Sequence, residues 1–350
     1  MWEVLSDCLL LITQRQKGRA FYLSKLNFKK SNPTFTSSFS LGELRVFARK
    51  ISFRGLVFVW LLSCIFLFTS CKSENVQAPI NTASNREVTD DLGRRLKIPA
   101  RVERAVSLAP NLTEIVFAVG AGERLVGVTT FCDYPAEALK IQKIGDTQTP
   151  NIENIIALKP QIVLVSTASQ MENFTKILDE QGIAVFVTNP NNLDDIYKTV
   201  NQFGEIFGKT EEARKIADDL KKRVADVEAR TASAEDVKVF LQISREQLFT
   251  VGKDSFMTDL IRRAGGASVT ANVEAAYPKL SKETALALNP EAIILSDSED
   301  NREPNDVFKN SPAMRNGKIF KINAELLSRP GPRIIDGLEQ IAKALHPRKF

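Results

Sequence analysis

The sequence predicts an α/β protein of two similar lobes joined by a long helical segment, and three observations carry this. First, NIENIIALKPQIVLVS at 151–166 returns as LSKETALALNPEAIILS at 280–296. Aligned on Glu153 and Glu283, each copy has a leucine five residues on (Leu158, Leu288), then Pro160 or Pro290, then an apolar run. Each reads as a short helix with an acidic first turn, which the helix dipole favours. Proline stops the helix. The strands 162–165 and 292–295 are apolar throughout rather than alternating, as expected of parallel strands covered on both faces. Second, NLTEIVFAVGAG at 111–122 resembles DSFMTDLIRRAGG at 254–266, where Thr113 and Thr258 each open a helix that reaches a glycine seven residues later. Helix–proline–strand units also recur in α/β proteins without duplication, so this second pair matters. Third, residues 192–230 keep a helical apolar stripe broken only at Gly208, the pattern of a stiff connector.

A chain of 350 residues holds two ordinary domains. Its hydrophobic and charged fractions, 43% and 25%, are those of a globular protein. The formal charge of +5 is misleading, because the first 70 residues hold 10 of the 47 Lys and Arg but only 3 of the 42 Asp and Glu. The remainder is close to neutral, so nothing points to nucleic acid. With one histidine, His346, near the C-terminus, neither a His-rich metal site nor a Ser-His-Asp triad can be assembled from the body of the chain. Only Cys71 and Cys132 lie beyond the leader, too few for a disulfide framework.

Residues 1–70 read as a leader. A basic stretch, LRVFARKISFRG, precedes the short apolar run LVFVWLLSCIFLF and then Thr69, Ser70 and Cys71. This is the layout of a bacterial lipoprotein signal peptide, with Phe68 where leucine is usual. The run is shorter than the ~20 residues of a comfortable membrane span. Cys71 is thus expected to become the lipid-modified first residue of the mature protein; an uncleaved anchor would give nearly the same topology. Residues 71–87 are polar and read as a flexible tether.

Beyond it, residues 88–99 form an edge hairpin around Asp91-Leu92-Gly93. The N-terminal lobe, 88–190, continues with a buried strand at 105–108 and a helix to Val119 capped by Asn111 or Thr113. A strand at 125–128 follows, then a loop at 129–150, long enough to suggest function. The first repeated unit, a helix at 170–181 and a strand at 184–188 complete it. The linker is 191–232; its GEIFGKT at 204–210 has one residue too few between glycines for a phosphate loop and follows a helix rather than a strand. The C-terminal lobe, 233–350, has strands at 237–243 and 247–251, a helix ended by Gly265-Gly266, the loop 268–279, the second unit and a strand at 316–322. A helix is expected within 328–345, with Pro332 in its first turn.

With these residues in place, the chain resembles class III periplasmic substrate-binding proteins of ABC importers, the cobalamin, haem and ferric-siderophore group. The resemblance covers roughly 88–347 and rests on SLAPNLTEIVFAVGAGERLVGV, CDYPAEA, NIENIIALKP, LSKETALALNP and RPGPRIIDGLEQIAKALHP in that order. Residues 132–138 and 329–347 are most similar to the cobalamin-binding branch. The resemblance implies two Rossmann-like lobes joined by a single long helix, with the ligand cleft between them. It implies that Glu153 and Glu283 dock onto arginines of a dimeric ABC permease; otherwise each simply favours its helix N-terminus. For the cleft it suggests Pro110, Asn111, Phe131, Asp133, Tyr134, Asp146 and Thr147 from the first lobe, with Gln242, Tyr277, Arg329 and Arg333 from the second. Flat aromatic faces suit a corrin or porphyrin, and amide and carboxylate groups suit corrin amides. Some cobalamin binders place tryptophans in the cleft. Here both, Trp2 and Trp60, lie in the leader, and Thr147 and Tyr277 stand near the corresponding positions.

The resulting expectation is a lipid-anchored, extracytoplasmic protein that captures a corrinoid, vitamin B12, as transported ligand and delivers it to the permease. It has no cofactor, no metal site and no catalytic residue. A ferric siderophore is the alternative within the family, as is haem, for which Tyr134 or Tyr277 would have to stand in for an axial histidine. An extracytoplasmic hydrolase would need a G-x-S-x-G elbow and an internal histidine, and neither is present.

Overall fold

The two copies of the repeated unit fold alike. Asn151 caps helix α2 (Ile152–Ala157) by accepting a hydrogen bond from Asn154 N, and Ser281 caps α7 (Lys282–Leu288) from Thr284 N. Each helix points one fully buried side chain inward, Ile155 or Ala285. Each is followed by a left-handed residue, Lys159 (φ 47°) or Asn289 (φ 46°), and then a buried proline. The turn into each strand is also shared: Gln161 N donates to Arg104 O, and Glu291 N to Lys238 O.

The computed structural model describes residues 85–166 and 172–350. The leader, Cys71, both tryptophans and the tether as far as Ser84 lie outside the described residues. The tether expected at 71–87 ends sooner, since Asn85–Thr89 is strand β1, paired antiparallel with β2 (Arg95–Pro99).

Two four-stranded parallel sheets follow, with one topology used twice. The first has the order β4-β3-β5-β6, from β3 (Ala105–Ser107), β4 (Leu125–Val128), β5 (Ile162–Ser166) and β6 (Ala184–Thr188). The second, read as β8-β7-β9-β10, is built from β7 (Val237–Gln242), β8 (Gly266–Ser268), β9 (Ala292–Asp297) and β10 (Ile319–Asn323). In each, the first strand in sequence is central and the chain turns to one side of it before returning to the other. Such a switch point opens a crevice at the carboxyl ends of the strands.

Strand side chains alternate between two cores. Ala105, Ile162, Leu164 and Phe186 face one continuous core that also takes Val239, Leu241, Ala292 and Ile294. Val106, Val163, Val165, Val185 and Val187 face a satellite core under α2 and α3 (Glu172–Glu180). Phe240, Ile293 and Leu295 do the same in the second sheet, where Phe240 and Phe308 lie 4.5 Å apart. Covering on both faces is why these strands read as unbroken apolar runs.

The connector is two helices rather than one. α4 (Leu193–Phe207) ends at Gly208, whose φ of 67° suits glycine, and α5 (Thr210–Thr231) folds back along it. The helices approach closely at Gly204, where any Cβ would lie 2.3 Å from that of Ala213. The 22 residues of α5 span roughly 33 Å and supply the long connecting helix. Ion pairs stitch it to the second lobe: Arg223 to Asp336 (2.6 Å) and Glu339 (2.8 Å), and Glu228 to Arg263 (3.2 Å). Arg263 also meets Asp194 of α4 (2.8 Å) and Asp259 (2.9 Å) of α6 (Phe256–Arg263).

Three local expectations change. α1 (Pro110–Ala118) has Ala109 at its N-cap position, and the buried Thr113 hydroxyl turns to Ser107 Oγ (2.9 Å), so neither Asn111 nor Thr113 caps it. Residues 247–251 form no strand, because Phe249 makes only isolated bridges to Ser244 and Lys279. The C-terminal helix, α10 (Ile334–Leu345), starts later than residue 328; a separate short helix, α9 (Ala324–Ser328), precedes it, leaving Arg329 to Arg333 as the turn between them. Pro332 thus precedes α10 rather than opening it. The four-residue α8 (Pro312–Arg315) lies between the second unit and β10.

Candidate functional site

The carboxyl ends of the strands bring the first-lobe candidates forward. Pro110 and Asn111 follow β3, while Phe131, Asp133, Tyr134, Asp146 and Thr147 lie in the loop after β4. Asp146 orders its own turn by accepting from Gln148 N (2.9 Å), Thr149 N (2.6 Å) and the Thr149 hydroxyl (2.9 Å). Gly145, at φ 104° and packed against Thr149 O, permits that turn. Thr147 is buried and Phe131 half-buried.

Four expected residues, from both lobes, meet in one cluster. Arg329 Nη1 donates to Asp133 Oδ1 (2.6 Å), and the Arg333 guanidinium lies 3.9 Å from the centre of the Tyr134 ring. Asn111 Nδ2 donates to Pro330 O (3.3 Å), carrying the contact along the backbone.

Two members of the cluster escaped the sequence reading. Glu114, in the second turn of α1, accepts from Arg333 Nε (2.9 Å) and Nη2 (2.6 Å) and from Arg329 Nη1 (3.2 Å). Glu325 of α9 accepts from Arg329 Nη2 (3.1 Å) and lies 3.7 Å from Arg333. A signal for Glu114 did exist: it is the lone charge among Leu112, Ile115 and Val116, all fully buried. A charge at such a position requires an opposite charge.

Burial pushes the Asp133 carboxyl up, but the Arg329 hydrogen bond and charge more than offset this and hold it below its ordinary value. Burial likewise pulls Arg329 down, and Asp133, Glu325 and Glu114 together raise it. For Arg333 the Glu114 hydrogen bond dominates and raises it. Both guanidiniums therefore stay charged, facing three carboxyl groups.

Gln242 is a correction. It is fully buried in the second lobe, and both ends of its amide are taken: Nε2 by Asn301 Oδ1 (2.7 Å) and Glu303 O (2.8 Å), Oε1 by Asn305 N (2.7 Å). It holds the 301–305 loop and offers no group to a ligand. Tyr277 is half-buried; burial pushes its hydroxyl up to about 12, and a hydrogen bond with Ser255 partly opposes the shift.

Glu153 and Glu283 are exposed at matching places, in the first turns of α2 and α7. Neither makes an ion pair among the described residues. The described residues also contain no cluster of His, Cys, Asp and Glu able to hold a metal, and no helix long and apolar enough to cross a membrane.

Two parallel-sheet lobes of one topology, joined by a helical connector, meet across a polar cluster at their strand ends, the architecture of a two-lobed binding protein. Residues 106–326 match the family model of the periplasmic binding proteins, and the chain belongs to that family. It is 31% identical over 288 residues to an uncharacterized ABC transporter substrate-binding lipoprotein of Bacillus subtilis, YvrC, covering 80% of this chain and 88% of that one. The crystal structure of the periplasmic vitamin B12-binding protein BtuF of Vibrio cholerae superposes with a TM-score of 0.63 at 29% identity, covering 71% of this chain and 98% of that one. The periplasmic haem-binding protein RhuT of Roseiflexus sp. RS-1 has the same TM-score at 22% identity, covering 71% and 100%, a likeness of fold alone. The chain is thus a non-enzymatic, extracytoplasmic substrate-binding component of an ABC importer, with a ligand and a permease as its partners.

Proposed function

We propose that this protein captures a corrinoid such as vitamin B12 and delivers it to its permease, held at the membrane by a lipid on Cys71. The observation that carries this reading is the charge balance of the cluster. Arg329 and Arg333 are already matched by Glu114, Asp133 and Glu325. A ligand bearing several carboxylates or catecholates would need unmatched cations there, and one rimmed with neutral amides would not. Phe131 and the part-exposed ring of Tyr134 suit a flat macrocycle, and Pro110, Asn111, Asp146, Thr147 and Tyr277 complete the lining. The vitamin B12-binding proteins among the relatives support the same choice.

Glu153 and Glu283 would engage the permease. One exposed carboxylate per lobe, in no ion pair among the described residues and each in the same local frame, suits a two-fold symmetric partner that offers the same basic patch twice. Calorimetric titration of the full chain in detergent with cyanocobalamin, haem and a ferric siderophore tests the ligand. Saturable binding of cyanocobalamin is expected, and binding by an iron complex alone refutes the reading. Metabolic lipid labelling that persists in a Cys71→Ala variant would refute the anchor.

A further inference from the structure

We propose that Glu114 is a positioning residue that sets the opening between the two lobes. Its two oxygens are the common acceptor of both arginines, which lie 215 and 219 residues away in the other lobe. The three carboxyl groups of the cluster are not equivalent. The Glu114 side chain is 2% exposed, whereas those of Asp133 and Glu325 are 46% and 40% exposed. Solvent weakens the outer two pairs and leaves the inner one strong. Glu114 also fixes the guanidinium plane of Arg333, and that plane carries the Tyr134 ring.

The tie runs from α1 to the turn before α10, away from the covalent connection through α4 and α5. Beside it, Asn111 and Gly331 are nearly in backbone contact: a Cβ on Gly331 would lie 3.4 Å from Asn111 O. A body hinged at a connector and pinned at a second point has lost its hinge freedom, so the chain's own side chains determine the opening that a ligand meets. This holds whatever the ligand is.

The test is hydrogen–deuterium exchange on the full chain in detergent, comparing wild type with Glu114→Gln, which keeps the shape and removes the charge. Exchange in 110–118 and 329–336 should rise about tenfold, toward the low end of the range for coupled sites, with β5 and β9 unchanged. Because Arg333 acts largely through the same carboxylate, Glu114→Gln combined with Arg333→Gln should raise exchange by clearly less than the product of the two single effects. Unchanged exchange, a rise spread evenly over both sheets, or multiplicative effects in the double variant would each overturn the proposal. Cyanocobalamin kinetics supply a second readout. A looser opening lowers the fraction of binding-competent molecules, so association should slow about tenfold while dissociation stays unchanged; faster dissociation alone would make Glu114 a ligand contact instead. If wild type does not bind cyanocobalamin, the corrinoid reading fails by itself, and the exchange data still decide the role of Glu114.

Discussion

Gly204→Ala sets two effects of known size against each other. Replacing a helix-interior glycine by alanine stabilises a helix by about 0.8–1.0 kcal/mol, an upper bound for Gly204 in the last turn of α4. Here the new methyl would lie 2.3 Å from Ala213 Cβ, 3.1 Å from Lys209 O and 3.4 Å from Thr210 Cα. None of these atoms is the end of a flexible side chain, so α4 and α5 must separate. Overpacking of this kind costs about 1–3 kcal/mol, and a contact this short belongs in the upper part of that range. The variant should therefore be net destabilised by about 1–2 kcal/mol, read as a lower midpoint in equilibrium urea unfolding with the slope unchanged. Adding Ala213→Gly removes the worst contact and exchanges the two propensities between helices, so the double variant should return to within about 1 kcal/mol of wild type. A stabilised single variant, or a double variant no better than the single, would refute the close approach of α4 and α5.

Charge reversal of Glu153 and Glu283 together should abolish ligand uptake in vesicles carrying the permease and leave circular dichroism unchanged, because neither carboxylate has an ion-pair partner among the described residues; full uptake by the double variant would end the docking assignment. Asn151→Ala and Ser281→Ala each remove an N-cap and should each cost about 1 kcal/mol in urea unfolding, adding when combined because they lie under different sheets. For acid stability, burial pushes the Asp259 carboxyl up, but hydrogen bonds from Leu193 N, Arg262 and Arg263 outweigh it and hold it below its ordinary value. A depressed folded value adds stability above the unfolded value of about 3.9, and this is lost as pH falls through the folded one. The urea midpoint should thus fall on acidification below about pH 4, and less steeply in Asp259→Asn; equal pH dependence in the two proteins would refute the assignment.

The duplicated fold was legible because its signals are local. Asn151, Glu153 and Pro160 sit within ten residues, as do Ser281, Glu283 and Pro290, and each set fixes its own cap, turn and strand entry. Gly208 was visible as a break, yet its left-handed φ means the chain doubles back, and no count of apolar positions reports the direction taken after a turn. The cluster was half legible. Asp133 and Tyr134, in a long loop, and Arg329 and Arg333, in a segment expected to be helical, were picked out by the family resemblance. Glu114 stood in a helix whose neighbours all pointed to the core, and its partners are more than 200 residues away. Gln242 misled for the opposite reason: a polar residue at a strand end looks available until the loop that consumes it, 301–305, is in place.

The β1–β2 hairpin has one more consequence. Its turn lies along β6, where Asp91 N donates to Val187 O, Arg94 to Val185 O, Val187 N to Asp90, and Asn189 N to Asp91. These groups form the outer rim of the first sheet, the row that another polypeptide would use to add a strand. The pair of buried Asp90 with half-buried Arg94 thus acts as a stopper against self-association. On the second sheet, the edge strand β10 carries the exposed Lys321, a charge of the kind that discourages strand addition. Truncation into the hairpin would therefore make the first lobe the one that aggregates, even where every residue of the ligand cluster remained intact.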